Sequence, residues 1–430
     1  MTEKTLLRVK DILEDGGQLV RGVLSGRDDD RWVGATIDTR ADCLHRLFFA
    51  LKGETTDGHR FVEDAAKRGS GAVVIDQTSV TAGLDRLGAP YFLVHDVLRS
   101  LQFLAKSYRD ALDIRVVAVT GSMGKTTTKE YIRTILKKKY RVHSNIGNFN
   151  NHIGVPLTLL DMDQDTEYLV CEVAANHTGE IDFLSRLLRP DVGVITNIGD
   201  AHIGYFGSQE NIARAKSELF VGIDSEGYAV LPEDDAFLGL LRQSARCRVV
   251  TFGRAETSTY RIGSVEEKSD RIAFEVNGEP QEINSLGLYN VSNAGAAYAV
   301  GELCGVELER IREALFETEP IPGRSKIYRG GGIVLIDDSY NANPTSMRAA
   351  LDVLSRISSG RRIAVLGDMA ELGEFSDEAH RDLGAHLAGT AVELVYWYGV
   401  NGDLVKEGLA GGKSYQSFGR LDELVEELER

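Results

Sequence analysis

Residues 116–128 read VVAVTGSMGKTTT. Val116 to Val119 form a short apolar run, as expected of a strand buried on both faces. Gly121 and Gly124 then allow a tight turn with exposed backbone N–H groups. Lys125, Thr126 and Thr127 open a helix whose apolar positions Ile132, Ile135 and Leu136 recur at helical spacing. Strand, glycine-rich turn, Lys-Thr and helix together make a phosphate cradle, because the N–H groups and the helix dipole favour anionic oxygens. The stretch Gly121, Ser122, Met123, Gly124, Lys125, Thr126 and Thr127 is therefore the expected nucleotide-phosphate site. Lys125 can reach the β/γ-phosphates and the Thr126 hydroxyl can ligate Mg²⁺. The motif departs from a strict Walker A, since Val119 stands where its first glycine belongs.

The chain has 430 residues, too many for one ordinary domain. Its hydrophobic content of 43% and charged content of 27% are those of a soluble globular protein. A formal net charge of −16 argues against a nucleic-acid partner. Cys43, Cys171, Cys247 and Cys304 are widely spaced and form no CxxC pair, which reads as reduced thiols rather than a disulfide or zinc framework. The opening MTEKTLLRVKDILEDGG carries acidic residues where a signal peptide needs an apolar run, and no segment reaches membrane-span length. A cytoplasmic protein with no membrane insertion is expected.

Along the chain the pattern changes twice. Residues 1–110 carry short strand-like runs at 47–51, 72–75 and 91–94, followed by a helical stretch near 97–112. Residues 111–320 alternate strand runs (115–119, 168–173, 192–196, 228–231, 248–252) with helical patterns, the signature of a parallel sheet. Within them, 259–283 switches to period-two alternation at Ile272, Phe274 and Val276, which predicts an antiparallel insert. EPIPGR at 319–324 marks the next boundary. Residues 321–430 carry strand runs at 333–339, 362–368 and 394–399 separated by helices. The expected fold is thus α/β in three domains: a small α/β substrate domain, a central P-loop-type parallel-sheet ATPase domain, and a C-terminal Rossmann-like domain.

Further chemistry sits at predicted strand ends. Glu172 in YLVCEVAANHTGEI (168–181) ends a buried strand at the carboxyl edge of the sheet. A carboxylate there costs several kcal/mol unless paired or metal-bound, which favours Mg²⁺ ligation. His202 in VGVITNIGDAHIGYFGS (192–208) sits past another strand end at the same edge and joins the candidate metal set. In NIGNFNNHIGVPLT (145–158), helix capping accounts for one asparagine but not for four. Lys216, on the amphipathic run NIARAKSELF (211–220), reads from its own surroundings as a solvated lysine.

Taken together, LFFALKGETTDGH (47–59), TGSMGKTTTK (120–129), GNFNNHIGVPLTLL (147–160), NIGDAHIGYFGS (197–208), ARAKSELF (213–220), GLYNVSNAGAA (287–297), PGRSK (322–326), DDSYNANPTSM (337–347) and LGDMAELG (366–373) resemble the Mur ligases, which add amino acids to the peptidoglycan precursor. The resemblance implies an ATP-dependent, ADP-forming amide ligase. DDSYNANPTSM with LGDMAELG points to the branch that joins D-alanyl-D-alanine to a UDP-sugar tripeptide. It also assigns roles. Lys125 and Thr126 match ATP-phosphate and Mg²⁺ residues, and Glu172 and His202 match metal ligands. Lys216 matches a lysine carbamylated by CO₂, which would turn an ammonium into an anionic ligand for a second Mg²⁺. Asn290 and Asn293 match residues near the adenine, and Arg324, Asp338 and Tyr340 match positions that close over the nucleotide. Asn341 and Asn343 fall in the segment facing the ligation site, and Asp38, Thr39, Arg40 and Lys52 in the UDP-sugar pocket. The implied partners are a nucleotide-sugar peptide donor and a dipeptide acceptor, bound by a monomer.

The chain departs from the family pattern at several points. His45-Arg46 replaces a Gly-Asp pair, EVAA at 172–175 replaces EMGA, and Gly204 and His152 stand where acidic residues are usual. The family's C-terminal domain runs on into a Gly-Ser-containing strand-and-helix unit, whereas this sequence ends at LDELVEELER (421–430). These changes leave two alternatives open: a Mur-like ligase acting on a non-nucleotide acid or peptide, and a non-catalytic nucleotide-binding regulatory subunit.

Overall fold

The computed structural model describes residues 4–24, 31–268, 271–356 and 360–429. By packing, the chain forms two compact units: Met1–Val116 with Arg141–Val173 and Phe183–Arg189, and Val117–Tyr140 with Ala174–Asp182 and Pro190–Arg430.

The first unit contains a five-stranded sheet in the order Leu19–Val23, Tyr91–Val94, Ala72–Ile75, Arg46–Phe49, Gly34–Thr36. Leu19–Val23 pairs antiparallel and the remaining pairs are parallel. Successive side chains of a strand point to opposite faces, and here both faces are covered. Phe48, Val73, Ile75, Tyr91 and Leu93 share one core cluster, while the alternating Leu47, Phe49, Val74 and Phe92 are also buried. The expected strands at 72–75 and 91–94 stand where the apolar runs put them. Leu19–Val23 and Gly34–Thr36 were not anticipated; both are edge strands, and the latter spans only three residues.

In the same unit Val142–Ser144 pairs in parallel with Tyr168–Glu172. Between them lies the helix Gly154–Asp161, buried from its first residue through Leu160. Its last residue explains one departure from the family pattern. Arg46 Nη1 donates to both Asp161 carboxylate oxygens at 2.7 and 3.0 Å, and the Ala35 N–H donates to the same carboxylate at 2.9 Å. Gly34 must stay bare, since a Cβ there would lie 2.2 Å from Asp161 Oδ1. Arg46 is thus a structural cation that ties the sheet edge to this helix. His45, before it, adopts a left-handed backbone with φ 56°.

In the second unit the strand Arg115–Thr120, from Val117 onward, neighbours Val192–Ile195, followed by Tyr228–Pro232, Arg248–Gly253 and Tyr260–Glu267 in parallel. Ile272–Val276 and Glu279–Ile283 then add antiparallel, the insert that the alternation at 259–283 predicts. The helix Tyr289–Leu303 is buried along most of its length and packs on the phosphate-loop helix Lys125–Lys137. Its small residues permit that approach: a Cβ on Gly301 would lie 2.7 Å from Ile135 Cγ2. Further along, Ile363–Gly367, Leu394–Tyr398 and Ser414–Phe418 form a parallel sheet around buried Trp397. The strand expected at 333–339 is Ile333–Asp337. It pairs antiparallel with Lys326–Gly330 in a hairpin rather than joining the parallel strands, because Gly331 and Gly332, at φ 57° and 79°, make the tight turn between them. Among the described residues no helix is long and apolar enough to cross a membrane.

Asp161→Ala should lower the stability of the first unit by about 2 kcal/mol, since it strands a half-buried guanidinium and an edge N–H. Urea unfolding followed by a probe in this unit measures the loss; a change below about 0.5 kcal/mol would show that the pair does not hold the edge.

Candidate active site

The phosphate loop leaves the strand Arg115–Thr120 through two glycines with no room for a side chain. Gly121 has φ 151°, and a Cβ on it would lie 1.8 Å from Thr196 Oγ1. Gly124 has φ 76°, and a Cβ on it would lie 2.2 Å from Asn293 Oδ1. The end of the strand Val192–Ile195 and the residues after it hold the loop's shape. The Ser122 N–H donates to the Asn197 carbonyl at 3.0 Å, and the Met123 N–H to Asn197 Oδ1 at 3.0 Å. The Gly199 N–H donates to Ser122 Oγ at 2.8 Å, and that hydroxyl donates onward to the Gly199 carbonyl at 3.1 Å. Thr196 Oγ1 and Asn197 Nδ2 both donate to the Met123 carbonyl. Asn197 lies in the quoted NIGDAHIGYFGS run, but its bracing of the loop across the sheet was not foreseen.

Lys125 Nζ donates to the Gly121 and Ser122 carbonyls at 2.9 and 3.3 Å, so the ammonium already lies over the cradle. Arg324 Nη2 donates to Thr126 Oγ1 at 3.3 Å, and the guanidinium stacks 3.9 Å from the Tyr340 ring centroid. Asp338 accepts from the Ser325 N–H and hydroxyl, and burial pushes its carboxyl up. A cleft lined by Thr127, Tyr131, Asn290, Pro320 and Arg324 opens beside the loop. Asn290 is buried there, with Nδ2 donating to Ser285 Oγ and the Leu286 carbonyl at 2.8 Å. Asn293 Nδ2 donates to Asn290 Oδ1, which links this cleft to Gly124.

His202 and Lys216 belong to the same unit. His202 stands at φ 63° before the short helix Ile203–Phe206. Burial pushes its imidazole down; Glu371 opposes this, and the positive charges of Lys125 and Lys216 add to it. Lys216 lies in the last turn of the helix Gln209–Ser217 and is 3% exposed. Burial, with a smaller contribution from Lys125, pushes its ammonium down to about 7. The solvated reading of Lys216 is therefore wrong. An amine of this kind is substantially neutral near pH 7 and is nucleophilic.

Glu172 belongs to the first unit. It is buried and accepts from Asn150 Nδ2 at 2.8 Å, while its main-chain N–H donates to Asn145 Oδ1 at 2.9 Å. Asn151 Oδ1 accepts from the N–H groups of Ile153 and Gly154 at the next helix start. The asparagine-rich loop thus divides its work between one capping residue and two that fix Glu172. Among the described residues no group of three or more His, Cys, Asp or Glu side chains is placed to hold a metal.

Other expected residues behave locally. Arg40 is 89% exposed in its side chain and forks onto Asp38 with contacts of 2.7 to 3.1 Å. Thr39 is buried and Lys52 exposed. Asn343 Oδ1 accepts from the Ser346 N–H at 2.9 Å, capping the helix Pro344–Arg356, and Asn341 is exposed. The sequence reading missed Glu371 as a site residue: its Oε2 lies 2.6 Å from His202 Nδ1.

Known proteins resemble this chain in sequence and in fold. A family model described as the Mur ligase middle domain matches residues 119–301, and one described as Mur ligase, glutamate ligase domain, matches residues 323–430. The UDP-N-acetylmuramoyl-tripeptide--D-alanyl-D-alanine ligase of Bacillus subtilis is 38% identical over 406 residues, 93% of this chain and 88% of its own. A MurF structure from Acinetobacter baumannii superposes with a TM-score of 0.84 at 33% identity, covering 92% of this chain and 86% of that one. The MurF ligase of Thermotoga maritima, solved in complex with ADP, gives a TM-score of 0.77 at 28% identity, covering 92% and 90%.

Because the folded-state value of Lys216 lies below the ordinary 10.5, the folded protein binds fewer protons than the unfolded chain between about 7 and 10.5. Its contribution to stability therefore rises with pH through that window, and its penalty is complete below about 7. Lys216→Met should remove this rise. Denaturation midpoints measured across the window should converge as pH increases, with the variant the more stable at the acid end; parallel curves would show that the amine is not desolvated.

Proposed function

The chain belongs to the Mur ligase family, and from that premise we propose that it joins D-alanyl-D-alanine to UDP-N-acetylmuramoyl-tripeptide, cleaving ATP to ADP, in peptidoglycan precursor synthesis. One observation carries this reading: a glycine-formed phosphate cradle and a buried lysine of depressed basicity lie close enough for the Lys125 charge to act on Lys216. A regulatory subunit has no use for that costly pairing of cations. In the functional division, residues 1–110 bind the UDP-sugar, 111–320 bind ATP and 321–430 close over it. The protein acts as a cytoplasmic monomer.

A carboxylate oxygen of the tripeptide attacks the γ-phosphorus, and the bond to the β-phosphate oxygen breaks, releasing ADP. The dipeptide amine then attacks the acyl carbon and loses a proton. The C–O bond to the phosphoryl group breaks, and phosphate leaves with an oxygen from the carboxylate. Both reactants of the first step are anions, so repulsion dominates the barrier. Lys125 neutralises charge at the γ-phosphate, and the N–H groups of 121–124 hold the phosphates in line. Asn290 and Asn293 frame the adenine cleft. Arg324, stacked on Tyr340, moves from Thr126 to the phosphates, with Asp338 fixing the strap that carries it. Asp38, Thr39, Arg40 and Lys52 take the UDP-sugar, and Asn341 and Asn343 border the ligation site. Pinning both reactants can be worth roughly 7–11 kcal/mol.

The donor set fits Mg²⁺, which binds through one or two protein oxygens plus substrate phosphates rather than in an all-protein cage. Thr126 would supply one such oxygen from the start of its helix, and Glu172, in the first unit, is the carboxylate that the family resemblance assigns to a metal. His202 and a Lys216 carbamate would hold a second ion. Mg²⁺ would supply charge neutralisation at the transferring phosphoryl group. Carbamylation needs a neutral amine, and Lys216, pushed down to about 7, provides one.

Phosphate release from ATP should require both UDP-N-acetylmuramoyl-tripeptide and D-alanyl-D-alanine. Lys125→Ala should lower turnover by at least about 10²-fold with the fold intact. Lys216→Ala should be nearly inactive, and wild-type activity should fall on CO₂ stripping and return with bicarbonate. Titration calorimetry with UDP-tripeptide against bare tripeptide tests the donor. Equal affinity for the two would refute the nucleotide-sugar assignment and support a non-nucleotide acid instead.

A further inference from the structure

We propose that Glu371 is a positioning residue that orients the His202 imidazole, fixing Nδ1 as the protonated nitrogen and leaving Nε2 to face the reaction. This rests on the ligase reading for its catalytic consequence, but its structural basis is independent of it.

The segment that carries His202 is held by backbone as well as side chain. The Gly204 N–H donates to the Glu371 carbonyl at 3.1 Å. A Cβ on Gly204 would lie 2.6 Å from that oxygen and 2.7 Å from the Gly373 nitrogen, so the approach requires glycine. Ile203 packs both against the core cluster containing Met369, Leu372 and Trp397 and against the cluster of Phe206, Ile212 and Ala215. Ala215 is the neighbour of Lys216, so one short helix ties the lysine-bearing helix to the 371–373 turn. At that turn Glu371 and Gly373 adopt left-handed backbones with φ 62° and 54°. For Glu371 this conformation is uncommon and persists where surrounding structure enforces it.

The Glu371 carboxylate lies 2.6 Å from His202 Nδ1, with the ring N–H pointing off the line of a full hydrogen bond. The χ2 torsion of histidine is soft, so a small ring rotation aligns the pair. A carboxylate that accepts from Nδ1 fixes the tautomer and raises the basicity of Nε2. His202 otherwise feels the positive charges of Lys125 and Lys216. Glu371 is the anion that holds it among them.

The side chain of Glu371 is 36% exposed, so its truncation opens no cavity. Glu371→Ala should lower kcat about 10- to 100-fold, with KM for ATP changed by less than about threefold, and Glu371→Gln should recover part of the loss through its amide oxygen. ¹⁵N spectra of histidine-labelled protein without substrate, at alkaline pH, should show the Nδ1–H tautomer in wild type and a shift toward Nε2–H in Glu371→Ala. Gly204→Ala, which removes no site side chain but pushes the 371–373 turn away, should shift the tautomer in the same direction. An unchanged tautomer, or an unchanged kcat, in Glu371→Ala overturns the inference. The spectra need no turnover, so a wild-type protein that fails to ligate while its tautomer responds to Glu371 would refute the ligase reading and not the orientation.

Discussion

Gly121 and Gly124 sit where neighbouring side chains leave no space for a Cβ, against Thr196 on one side and Asn293 on the other. This steric constraint fixes the direction of the loop's N–H groups, and other parts of the site take their places from it. Thr196 and Asn197 come from the adjacent parallel strand and its extension; Asn293 comes from the buried helix that packs on the phosphate-loop helix. The alanines and glycines of that helix bring Asn290 and Asn293 to the cradle together. A bulkier helix would stand further off, and the cleft beside Asn290 and the glycine loop would lose their common wall.

The second governing feature is electrostatic. The chain carries a net charge of −16, yet Lys125, Lys216 and His202 share one neighbourhood. Burying the Lys216 ammonium is unfavourable, and the charge of Lys125 adds a smaller part to the cost; together they depress its basicity. An anionic ligand beside these cations would relieve it.

Much of this was legible locally. The runs at 72–75 and 91–94 are apolar on both strand faces and stand as strands at those positions, and the glycine spacing of 121–124 predicts the cradle. The edge strands Leu19–Val23, Gly34–Thr36 and Val142–Ser144 were not, being short or partly exposed and lacking a two-faced apolar signature. Lys216 misled because its exposure depends on what packs over the helix, which no local pattern encodes; only family resemblance pointed to it. Arg46 stands in the sequence only as a departure from the family's Gly-Asp pair; its partner Asp161 lies far along the chain. Glu371 lay in a quoted motif, but its relation to His202 exists only in three dimensions.

The central claim is that a substrate carboxylate is activated by phosphoryl transfer at this cradle. UDP-N-acetylmuramoyl-tripeptide labelled with ¹⁸O in its terminal carboxylate, turned over with ATP and D-alanyl-D-alanine, tests it directly by the ³¹P NMR isotope shift of the released phosphate. The account predicts one ¹⁸O in the phosphate formed with each peptide bond. Phosphate carrying only oxygen from ATP or water, alongside normal peptide-bond formation, would contradict it.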